Sequence, residues 1–486
     1  MNFLEMLNDV LKEYSDIRVT QLTGIERTRV NRIRNGKFRI EFEELRKITK
    51  GIMLDSDTTK KLYEAYLFEK LGADRYKSRM LAKQFLSSLK FPESDSGLLM
   101  GYSTASFNAD FDIPEDVVTL DSLLSVRNAV TMILSKACAE KDHIKIISSP
   151  FDEYLLSNIF VLTSAVSDLD IEHIYSLSSV NELSEPLTYY MEVARAVYPI
   201  FMLNTNYNAY YSIAGHSTNA LMPFQIITSS FSMTMSLDGT SAILVKKKSV
   251  IDIYSRLFNQ KISQCTPFIK KIRTSGEYLE NYLGIMESVN AKSSGKTLIT
   301  LDFEPCVLHF FNRDDLGQML EKTKNDERAH YWLENIVNNQ FGIFNNIPQI
   351  AYFTKKGVDS FIETGRIMEI PEAITPVIGY EHRREMLCSV LDCIKSEKSD
   401  LRYYMLKENE FDPPLGLRFL GTGVRNGDYL YVISKEHEGM CSILSFSNPD
   451  VTSVVFDFLS SLNESGMVFT KEETIEYLET VIDSMK

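Results

Sequence analysis

At 486 residues the chain is too long for a single hydrophobic core, and 44% hydrophobic with 24% charged residues excludes a disordered or fibrous protein. Its formal net charge of −14 argues against general affinity for nucleic acid, yet residues 1–90 carry 19 Lys and Arg against 13 Asp and Glu, so a basic head precedes an acidic body. No apolar run is long enough to cross a bilayer, and the acid-bearing start MNFLEMLNDVLKEY is not a secretory signal.

In chain order, residues 1–14 predict a first helix with Phe3, Leu4, Leu7, Val10 and Leu11 on one stripe. Ser15 is placed to cap a second helix, Asp16–Thr23, because its hydroxyl can accept from free backbone N–H groups of the first turn. Gly24 supplies the turn, and Glu26–Arg34 forms a third helix closed by Asn35-Gly36. Val19, Leu22, Ile25, Val30 and Ile33 share the inward faces, which leaves Arg27, Thr28, Arg29, Asn31 and Arg32 outside. Further helices are expected at Phe42–Lys50, Thr58–Lys70 and Ala73–Leu89, followed by a linker at Phe91–Gly97.

From about residue 110 helices and strands alternate. Helix Thr119–Glu140, strand His143–Ser148, helix Asp152–Val166 and strand Ile171–Leu177 give a β–α–β order that favours a parallel pair. Leu187–Ala209 is expected to be helical, with strands at Phe224–Met235 and Ala242–Lys246 and a helix at Val250–Asn259. In the last third, strands are expected at Thr297–Phe303, Gln349–Phe353, Leu401–Leu406, Tyr429–Ser434 and Met440–Phe446, and Asn426-Gly427 is expected to turn a hairpin. No fixed-period repeat is visible. The fold class expected is multidomain: an all-α helix-turn-helix domain (1–70), a helical connector and linker (71–97), an α/β domain (98–290) and an α+β domain (291–486), the last two forming a large mixed body.

The segment Gly24-Ile25-Glu26-Arg27-Thr28-Arg29-Val30-Asn31-Arg32-Ile33-Arg34-Asn35-Gly36-Lys37 resembles, without a gap, the helix-turn-helix of the Cro/repressor-like (XRE) regulators, and Glu41–Ile48 resembles that family's next helix. The resemblance covers the first 55 to 70 residues or so. Thr20 and Asp16 depart from it, standing where the family usually has Ala and a phosphate-contacting Gln. What it implies is a major-groove helix on which Arg27, Thr28, Asn31 and Arg32 reach base edges or flanking phosphates, with Gln21, Arg29, Asn35 and Lys37 fixing position on the backbone.

Elsewhere the motifs are weak. Asn290–Thr297 (NAKSSGKT) imitates a phosphate loop but runs into a strand where a helix should begin, so it is expected to be a linker. His143-Ile144-Lys145 opens like the histidine–lysine motif of phospholipase D enzymes, but its acid falls out of place at Asp152, and a polar-edged strand is expected instead. Asp302, Glu304, Cys306 and His309, like His382, Cys388 and Cys393, lack metal-ligand spacing, so neither a metal nor a cofactor is expected. The six cysteines (138, 265, 306, 388, 393 and 441) form no framework and fit a reduced, cytoplasmic setting. Six tyrosines among nine aromatics between Tyr189 and Phe231 mark a site of mixed chemistry for a small-molecule or peptide effector, with Tyr198, Tyr207, Tyr210, Tyr211 and His216 as its residues.

Together these features lead to an expected bacterial transcription regulator that is not an enzyme. It would bind double-stranded DNA at an inverted repeat as a homodimer, with the body for sensing or dimerisation and no membrane association. The alternatives are an enzyme or defence effector whose N-terminal module autoregulates or recruits, and a pure interaction scaffold.

Overall fold

The computed structural model describes residues 2–89, 115–148, 153–166, 169–178, 191, 195, 197–200, 206–214, 222–267, 274–280, 296–338, 348–367, 370–396, 400–411, 417–422, 426–433, 443–446 and 449–485. The chain is multidomain, with an all-helical N-terminal part and a large mixed α/β body.

The N-terminal part holds α1 (Phe3–Val10), α2 (Asp16–Thr23), α3 (Arg27–Arg34), α4 (Phe42–Gly51), α5 (Ser56–Leu71) and α6 (Ala73–Ser88). Ser15 caps α2 by accepting from the Arg18 amide, and Gly24 ends it in the left-handed region at φ 70°. The apolar faces converge on one core that includes Leu7, Val19, Val30, Ile33, Leu45 and Leu62. Asp16 has a structural role here: one carboxylate oxygen accepts from Arg34 at 3.0 Å and the other from Asn31 at 3.0 Å, stapling α2 to α3.

In the body, β1 (Val117–Leu120), α7 (Leu123–Glu140), β2 (Ile144–Ser148), α8 (Glu153–Ala165), β3 (Ile171–Ser178) and β4 (Tyr207–Ala214) lead into β5 (Phe224–Ile227), β6 (Ser232–Met235), β7 (Ala242–Val245), α9 (Lys248–Ile262) and β8 (Thr266–Pro267). The eight strands form one sheet in the order β1-β7-β6-β5-β2-β3-β4-β8. The expected parallel β–α–β pair is present at β2 and β3. The helix expected over Leu187–Ala209 is corrected at its end, because Tyr207 opens β4, a parallel neighbour of β3.

The last third supplies β9 (Lys296–Leu301), α10 (Arg313–Thr323), α11 (Glu327–Asn338), β10 (Gln349–Phe353), α12 (Lys355–Thr364), α13 (Tyr380–Lys395), β11 (Leu401–Met405), β12 (Leu417–Thr422), β13 (Asn426–Ile433), β14 (Ile443–Phe446), α14 (Pro449–Leu459) and α15 (Lys471–Ser484). Their sheet runs β11-β10-β9-β12-β13-β14. Strand β12 had no sequence expectation, and Asn426-Gly427 lies in the first rungs of β13, so the hairpin turns before it.

The two sheets share a plan. In each, three parallel strands are laid outward from the first (β2-β3-β4 and β9-β10-β11), and three antiparallel strands then fill its other side (β5-β6-β7 and β12-β13-β14). A helix follows each set, α9 after β7 and α14 after β14. The body is thus a topological duplication that leaves no sequence repeat. One apolar core joins the halves, containing Ile146, Tyr175 and Tyr207 from the first sheet, Ile299, Leu301 and Tyr352 from the second, Val455 and Leu459 from α14, and Phe85 and Leu86 from α6.

Candidate active site

Strand alternation places Ile144, Ile146 and Ser148 of β2 on the face that β3 fills with Ile171, His173 and Tyr175. Tyr207 stands opposite Ile171, on the same face of β4. The four polar residues close on one another. Ser148 Oγ lies 2.7 Å from His173 Nε2, His173 Nδ1 lies 3.0 Å from the Tyr207 hydroxyl, and that hydroxyl lies 2.7 Å from Tyr175 OH. The imidazole also stacks on the Tyr175 ring, with centroids 4.0 Å apart.

Ser148 and His173 are each 0% exposed. Burial pushes His173 down to about 3 and both tyrosines well above their ordinary range. All four groups are therefore neutral at pH 7, the state in which a dry network is least costly. With the proton on Nδ1 given to Tyr207, Nε2 is left to accept from Ser148, a tautomer assigned from the network. This is the order nucleophile, base, orienting group.

Of the sequence-predicted tyrosines, Tyr207 belongs to this network, and Tyr198 is buried in the same core. Tyr211 packs partly buried against that core, whereas Tyr210 points to the opposite face beside Ile174 and Phe258. His216 lies outside the described residues. Sequence reasoning missed Ser148 and His173. The available signal was a histidine at an inward position of an alternating strand, IEHIYSL, after a strand ending in serine.

On the N-terminal helices, Gln21, Arg27, Thr28, Asn31, Arg32, Asn35 and Lys37 are exposed. Asn31 is held by Asp16, and the half-exposed Arg29 lies across to Glu44 in a two-pronged ion pair. His143 ion-pairs with Glu172 at 3.0 Å, and Lys145 donates to Ser255 and Asn259 on α9 at 2.8 Å each, while Asp152 lies outside the described residues. The phosphate-loop look-alike falls outside them up to Gly295, and Lys296 and Thr297 open β9. Asp302, Glu304 and Cys306 are buried past the end of β9, and His382 pairs with Asp315 at 2.9 Å. Among the described residues no three His, Cys, Asp or Glu side chains gather closely enough to hold a metal.

No family model matches the chain, and no curated protein does. Among solved structures it is matched with a polyphosphate kinase from Porphyromonas gingivalis at 10% identity and TM-score 0.22, covering 92% of this chain and 66% of the kinase. It is also matched with the phosphatidylserine synthase of Haemophilus influenzae Rd KW20 at 10% identity and TM-score 0.25, covering 84% of this chain and 97% of the synthase. The chain thus spans just under two thirds of the kinase's length. Both proteins are enzymes, and this finding corrects the expectation of a non-enzymatic transcription regulator with double-stranded DNA as partner. At these scores neither match lends its substrate or mechanism to this chain.

Proposed function

We propose that the chain is an enzyme working by nucleophilic catalysis on its duplicated α/β body, with the N-terminal helices recruiting a protein or restraining the body. The observation that carries it is the Ser148–His173–Tyr207 alignment across three adjacent parallel strands, with Ser148 at the carboxyl end of β2, His173 third in β3 and Tyr207 opening β4. Ser148 Oγ attacks an acyl or phosphoryl centre as its proton passes to His173 Nε2, and Tyr207, backed by Tyr175, holds the ring in the required tautomer. The proton returns to the leaving group.

The N-terminal helices are read as a Cro/repressor-like module, supported by the uninterrupted motif and the left-handed Gly24 between α2 and α3. Their use for recruitment or restraint is supported by the grip of the body on α6: Asp457 of α14 receives Arg75 Nε at 3.0 Å and Arg79 Nε at 2.7 Å. No helix among the described residues is long and apolar enough to cross a membrane. The cytoplasmic setting belongs to this proposal and is supported by the free thiols of Cys138 and Cys388.

A purely structural network is the second reading, favoured by the complete burial of Ser148 and His173. A fluorophosphonate probe separates the two. Catalysis expects the probe on Ser148 by peptide mass spectrometry, lost in Ser148→Ala and in His173→Gln while the near-ultraviolet dichroism persists. Absence of label on Ser148, with only a stability change in the variants, leaves the network structural.

A further inference from the structure

Between the N-terminal helices and the last third of the chain lies a cavity of about 410 Å³, within the range of small-molecule sites. Arg46, Lys50, Lys60, Lys83 and Lys407 line it, against three acids, Glu64, Glu410 and Glu473. Two of these acids are already engaged: Glu473 with Lys50 at 3.4 Å and Glu410 with Lys60 at 3.6 Å. Arg46 is fixed by the Val468 carbonyl at 2.6 Å and by Glu43 at 3.3 Å. Lys83 and Lys407 make no ion pair within 4 Å among the described residues, and burial pushes both ammonium groups below the ordinary lysine value. Each lysine loses hydration and is repelled by neighbouring cations, Lys83 by Lys60 and Lys407 by Arg46 and Lys50, which an anion in the cleft corrects. The excess of two positive charges matches a multiply charged anion better than a single carboxylate, and lysine is a common point-charge partner of phosphate. Leu67, Tyr76 and Met80 give one wall an apolar surface suited to an organic group.

We infer that this cleft binds a small molecule bearing a diphosphate, held by Lys83 and Lys407 and bridging the N-terminal helices to the last third of the chain. The site does not share residues with the Ser148 network, so it stands or falls separately from the proposed catalysis. Full-length protein is titrated calorimetrically with pyrophosphate, ADP and adenosine. The expected order is ADP at least as tight as pyrophosphate, with adenosine not binding, and hydrogen exchange slowed in α4 and α5 when ADP is present. Lys83→Met and Lys407→Met, which keep chain length and remove charge, each weaken binding roughly tenfold, as for loss of one charge-assisted hydrogen bond. Glu410→Gln tightens it, an independent check should a lysine variant fail to fold. Wild-type protein that binds neither phosphate compound, or lysine variants that bind as tightly as wild type, overturns the inference. Co-sedimentation with phosphatidylglycerol vesicles in the absence of ADP binding likewise overturns it, placing the phosphate on a lipid.

Discussion

Tyr207 serves both Tyr175 and His173, so one hydroxyl decides whether the buried network is complete. Tyr207→Phe keeps the ring and strands two buried partners, an expected loss of about 1–3 kcal/mol by denaturant unfolding. His173 adds a pH signature. Its folded value of about 3 lies below its ordinary 6.5, so between them the unfolded chain holds the extra proton. The contribution is intact above 6.5 and lost as pH falls towards 3, with a slope of up to about 1.4 kcal/mol per pH unit. His143 acts in the opposite sense, since its hydrogen bond to Glu172 raises it. The difference between wild type and His173→Gln over this window therefore isolates the buried ring; identical pH profiles would show that it does not titrate as described. The bland expectation for His143 and Lys145 was legible from the polar edge of their strand, whereas the Ser148–His173 contact joins residues 25 apart across a strand pair and has no local signature.

Element by element, one carboxylate adds a polar tie to the apolar packing of α6 on α14. Burial alone pushes Asp457 up, but the hydrogen bonds from Arg79 and Arg75 outweigh it and leave it below the usual carboxylate range. Arg79 is 8% exposed, so Asp457→Ala strands a buried guanidinium at an expected cost of about 3–5 kcal/mol in thermal or chemical unfolding. The pair is intact above the ordinary carboxylate range and weakens as pH falls through the lowered value. Gly357 sets a second close approach: a Cβ there would stand 1.6 Å from the Phe303 carbonyl oxygen, so α12 can pack over the end of β9 only without a side chain. Gly357→Ala is expected to cost at least about 1–3 kcal/mol, because backbone rather than a flexible side chain must move; unchanged stability would show that this approach is not constrained.

Across the whole molecule, one face of each duplicated sheet and α6 share a core, so neither half buries that face alone, while the other faces are covered by separate clusters around Ile174 and Phe258 and around Phe353 and Leu387. Cutting the chain at residue 290 is expected to give two fragments that bind hydrophobic dyes and lack sharp near-ultraviolet dichroism, and that recover it when refolded together. Two fragments each unfolding cooperatively alone would contradict one shared core.

What the sequence determined by itself is the local part: the N-terminal helices, set by apolar spacing, the Ser15 cap and Gly24, and the β2–α8–β3 run, set by alternating patterns. These signals lie within one or two turns or one strand, so they survive without knowledge of neighbours. Tertiary structure decided the rest. Tyr207–Ala214 becomes a strand because β3 offers it a parallel edge, overriding the aromatic helix pattern that precedes it. Asp16, a departure from the helix-turn-helix pattern it resembles, is explained only by Arg34 and Asn31 on the next helix. The repeated strand order is invisible to the residues because duplicated topology constrains which strands pair, not which side chains they carry. The Ser148 network and the lysine-lined cleft likewise arise from segments brought together by packing, as when Lys83 of α6 and Lys407 beyond β11 come to line one cavity.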